Sequence, residues 1–100
     1  MTKFYARQGD LVIEKLDQPI QGDLIKRVDV VFAGDSSGHR HRLLGEVFVQ
    51  TTNTRVVRVR IAKATDLVHE KSDGHESVQM KPGDYEIRPL RERDDRAVED

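Results

Sequence analysis

The segment Arg55-Val56-Val57-Arg58-Val59-Arg60-Ile61 alternates charged and apolar side chains with a period of two. An extended strand sends successive side chains to opposite faces, so Val57, Val59 and Ile61 share one face and Arg58 and Arg60 the other. This is the pattern of a half-buried antiparallel strand, with the three apolar residues buried and the two arginines exposed. Upstream, Val47-Phe48-Val49 is a second apolar run, separated from the first by the turn-like Thr51-Thr52-Asn53-Thr54. Two such runs across a short polar turn predict a hairpin.

The remaining segments extend the same pattern. Residues 10–16 read as a strand opened by Gly9 and closed before Pro19, and residues 24–33 as another, carrying Val28, Val30, Val31 and Phe32. Gly34 to Gly38 is a loop by composition. Residues 62–66 fit a bend or a short helical turn. Leu67-Val68-His69-Glu70 is a short apolar piece leading into a polar loop over residues 71–75. Lys81-Pro82-Gly83-Asp84 is a strong turn, since Pro presets φ and Gly permits a positive one. Tyr85-Glu86-Ile87 then starts a last strand, which Pro89 ends or marks as an edge. The fold class is therefore mainly β: a small antiparallel barrel or two-sheet sandwich of roughly six to eight short strands. With only two Tyr, three Phe and no Trp, the core must rest on Val, Ile and Leu. Residues 1–92 form a single domain, and the charged residues 93–100 are expected to be a disordered tail, having almost no apolar surface to bury.

Charge and composition exclude several functions. The chain carries 17 basic and 18 acidic residues, so no field of one sign steers it to nucleic acid or an anionic membrane. Arg40, Arg42, Arg55, Arg58 and Arg60 could make a basic face, but no aromatic stacking platform accompanies them, and nucleic acid is not the expected partner. There is no cysteine, which removes disulfides, thiolate ligands and a cysteine nucleophile. Apolar runs stay far below the roughly 20 residues that span a bilayer, and the N-terminal residues lack the apolar stretch of a signal peptide. A cytoplasmic protein with no membrane partner is expected. Neither a nucleophile elbow nor a phosphate-cradling glycine loop is present.

What remains is a set of four histidines in two clusters, His39 with His41 and His69 with His75. On an extended segment His39 and His41 project from one face. Two neutral imidazoles on one face can grip a divalent ion, and a third histidine plus a carboxylate would complete a nitrogen-rich site for zinc, iron or nickel. Glu46 and Glu70 are the nearest carboxylates. The core should fix His69, which follows Leu67 and Val68, whereas His75 sits beside Gly74 where it could swing. Two histidines flanked by arginines are also ordinary solvated surface, and His69 alone is the kind of residue that serves as a hydrogen-bonded structural histidine.

The strings Arg7-Gln8-Gly9-Asp10-Leu11, Gly38-His39-Arg40-His41, Leu67-Val68-His69-Glu70 and Pro82-Gly83-Asp84-Tyr85-Glu86 resemble, in this order, the landmarks of a functionally uncharacterised family of small bacterial and phage-associated proteins. The spacing of His39, His41 and Glu46 is similar to the first motif of the cupins, a likeness confined to residues 34–53, which implies a β-barrel metal site. Three readings stand side by side. One is an accessory or regulatory domain that binds a divalent metal, or a ligand through it, at His39, His41 and His69, assisted by Glu46, Glu70 or His75. The second is a metal-free protein–protein interaction module, with an unknown protein or a second copy as partner, bound through exposed strand edges. The third, with least behind it, is a minimal cupin-like metalloenzyme using Glu70 as general base.

Overall fold

The described residues form eight strands: β1 (Thr2–Gln8), β2 (Leu11–Leu16), β3 (Ile25–Ala33), β4 (Arg40–Thr51), β5 (Val57–Ile61), β6 (Thr65–Lys71), β7 (Gly74–Met80) and β8 (Gly83–Pro89). The computed structural model describes residues 2–33, 40–51, 56–71 and 74–89, with the backbone alone for residues 33, 71, 74 and 75. All pairings are antiparallel, in the order β1-β2-β8-β5-β4-β6-β7, with β3 against β4. No described helix is long and apolar enough to cross a membrane.

β4 is the spine. Its residues 40–43 pair with β6 and its residues 48–51 with β5, while β3 runs along its other edge. Between the two halves the chain bends at Gly45, where φ is +75°, opposite a register shift at Asp29, where φ is +53°. The Asp29 carboxylate accepts the Gly45 N–H at 2.7 Å, which holds the bend. The bend folds the β6-β7 half over the β5-β8-β2-β1 half and turns one sheet into a nearly closed barrel. Side chains, not a ladder, join β1 to β7 at the seam. The Tyr5 hydroxyl donates to the Gln79 carbonyl at 2.7 Å and accepts the Lys81 N–H at 3.3 Å. The Gln8 amide donates to the Glu76 carbonyl at 3.1 Å.

Inside lie Leu11, Ile13, Phe32, Leu43, Val47, Val49, Val59, Ile61, Leu67, Met80, Tyr85 and Ile87. Tyr85 is packed edge-on against Tyr5, with ring centroids 4.9 Å apart. Burial, and after it the hydrogen bond and charge of Tyr5, push the Tyr85 hydroxyl's pKa upward. Outside, the many charges pair across strands: Arg58 with Glu86 at 3.1 Å, Arg60 with Asp84 at 3.0 Å, Arg42 with Glu70 at 3.2 Å. Burial alone would raise the Asp84 carboxyl. The Arg60 guanidinium and the Ile20 N–H, which donates to it at 2.8 Å, outweigh this and hold it below its ordinary value.

The structure corrects the sequence reading in three places. Residues 2–8 form β1, which their sequence did not announce. The loop expected over residues 71–75 is shorter: Lys71 ends β6, and Gly74 and His75 open β7, with Glu70 opposite His75 and Lys71 opposite Gly74, while residues 72 and 73 lie outside the described residues. Polar residues pair here because a hairpin is held by its backbone, whichever side chains it carries. Arg58 and Arg60 are half-buried under their acidic partners, not freely exposed, and Val57 at the mouth of β5 is half-buried where Val59 and Ile61 are enclosed. The tail at 93–100 lies outside the described residues.

Candidate functional site

Strand register places two histidines face to face. His41 of β4 is the direct partner of His69 on β6, one step outside the buried pair Leu43 and Leu67. Both imidazoles point inward, at 0% and 2% exposure. Their rings stack with centroids 4.2 Å apart and planes within 12°. Along the same cross-strand row, Phe32 of β3 neighbours His41 and Glu76 of β7 neighbours His69. The His69 Nδ1 is 3.8 Å from the Glu76 Oε1.

The connection between β1 and β2 closes over this pair. Gln8 and Leu11 are ladder partners, so Gly9 and Asp10 form a two-residue turn, and Gly9 takes the φ of +56° at the first position that such a turn demands. Gln8 is fully buried. Its Nε2 donates to the Leu67 carbonyl at 2.7 Å and the Glu76 carbonyl at 3.1 Å, which fixes the orientation of the amide. Its Oε1 therefore faces the His41 Nδ1, at 2.9 Å. On the other side of the ring, the His41 Nε2 meets the Asp10 Oδ1 at 3.1 Å. Both ring nitrogens of His41 thus lie against an oxygen, a carboxamide's on one side and a carboxyl's on the other. The Asp10 side chain itself reaches the surface, at 21% exposure. Gly9 abuts His69: a Cβ at position 9 would fall 2.5 Å from the His69 Cε1.

Of the residues expected to ligate a metal, the fold brings together His41 and His69. Glu70 lies on the opposite face of β6 from His69, as alternation requires, and is paired to Arg42. Glu46 is exposed on the outside of β4, with its Oε2 3.6 Å from the Lys26 amine. His39 and the His75 side chain lie outside the described residues. Among the described residues, no three His, Asp or Glu side chains are placed to hold a metal ion. Gln8, Gly9, Asp10 and Glu76 are the neighbours that sequence reasoning missed. A Gly-Asp dipeptide between two apolar runs is a recognisable hairpin signal, but nothing in it says which strands the turn will cover. The arrangement ties β1 and the β1–β2 turn to β4, β6 and β7 through hydrogen bonds of Gln8 and Asp10.

A family model described as Domain of unknown function (DUF8820) matches residues 7–89. No curated protein and no solved structure matches the chain.

Proposed function

Since the chain belongs to the family described as a domain of unknown function (DUF8820), we propose its function from the geometry: a protein–protein interaction module of accessory or regulatory role, binding along β3. One observation carries this reading. Among the described residues β3 is hydrogen-bonded to β4 alone, and it carries three of the four exposed large apolar side chains: Ile25 at 58%, Val28 at 66% and Val31 at 51%. A free strand edge is a template for another strand, and proteins that do not use one blunt it with charge. The outer faces of β5, β6 and β8 carry cross-strand ion pairs. Among the described residues β1 and β7 also ladder on one side only, but side chains join them across the seam; apolar side chains concentrated on β3, a strand with an unpaired edge, mark a surface built to be covered.

The divalent-metal reading has no comparable support, since His41 is held on both ring nitrogens and Glu46 and Glu70 face away. The interaction reading is tested by placing a photo-crosslinking amino acid at Val28 or at Arg58 in cells expressing the full chain. Adducts that form from position 28 and not from position 58 support it. Equal yields from both positions, or none from 28, overturn it.

A further inference from the structure

We draw no further inference here: the strongest candidate, the outer face of β3 where Val28 and Val31 stand exposed beside an edge unpaired among the described residues, belongs to the surface already proposed for interaction, and nothing in the structure shows what covers it.

Discussion

Replacing Gly9 with alanine tests whether the turn between β1 and β2 really closes on the histidine pair. Two costs add at this position. The first is conformational: at φ +56° an L-residue with a Cβ costs about 1–2 kcal/mol, and the lower entropy of the unfolded chain returns about 0.4–1 kcal/mol. The second is steric. The new Cβ falls 2.5 Å from the His69 Cε1 and 3.1 Å from its Nδ1. The His69 ring cannot easily retreat, because it is stacked on His41, and Gln8 and Asp10 grip His41 in turn. Forcing atoms into so fixed a place costs about 1–3 kcal/mol. Gly45 supplies the control. Its φ of +75° carries the same conformational cost, but the nearest atom to a Cβ there is the Thr65 Oγ1 at 3.8 Å, an ordinary contact. Gly9→Ala should therefore lower the unfolding free energy in a urea titration by about 2–4 kcal/mol, and Gly45→Ala by about 1 kcal/mol. In a double-mutant cycle, His69→Ala should recover about 1–3 kcal/mol of the Gly9→Ala loss, since it removes the atom that is struck. Equal losses at Gly9 and Gly45, or no coupling to His69, would refute the packing described here.

Three further outcomes follow from the same geometry. Val59→Ala should cost about 1–3 kcal/mol through lost burial and a residual cavity, whereas Arg58→Ala should cost less than about 1 kcal/mol, because its ion pair with Glu86 is partly solvated; urea curves with similar midpoints for the two variants would show that the faces of β5 are misassigned. The depressed Asp84 carboxyl stabilises the fold fully above its unfolded value, about 3.9, and that contribution is lost as pH falls through the lower folded one; the gap between wild type and Asp84→Asn should therefore narrow as a urea series moves from pH 6 down to pH 3, and a constant gap would contradict the Arg60 pairing. Zinc, nickel and ferrous ions at pH 7.5 should leave the melting temperature of the untagged chain unmoved, and a rise abolished by His41→Gln would restore the metal site.

The strands were legible where one face is wet and the other dry. β5, with valine and isoleucine between arginines, could be read directly, and so could β8 after its Pro-Gly turn. β7 could not: Gly74, His75, Glu76, Ser77 and Gln79 give no alternation, and that strand exists because β6 offers it a backbone ladder. The histidines drew attention correctly, but their chemistry depended on direction. His41 is set among arginines in sequence, which suggested a solvated loop, yet the register that buries Leu43 also turns His41 inward. The same period of two turned Glu70 outward, away from His69, so a carboxylate adjacent in sequence was lost to the site. Asp10 and Gln8 arrived from about thirty residues upstream of His41, a separation at which a single sequence carries no pairing information.

The position of the buried cluster also bears on where function resides. A barrel whose first and seventh strands lack a continuous ladder must close by other means. Here the closing atoms belong to Tyr5 at one point of the seam and to Gln8 at another, with Asp10 following through His41. Removing one partner from a buried hydrogen-bond network costs more than an average hydrogen bond, because the remaining groups stay desolvated. That cost constrains Gln8, Gly9, Asp10, His41 and His69 for reasons of folding alone. Residues that stabilise the barrel in this way need not touch any partner. In the proposed interaction reading, recognition falls to residues whose exposure does nothing for the core, and on β3 Ile25, Val28 and Val31 meet that condition. A substitution in the histidine cluster should lower stability and binding together. A charge placed at Val28 should abolish binding and leave stability intact.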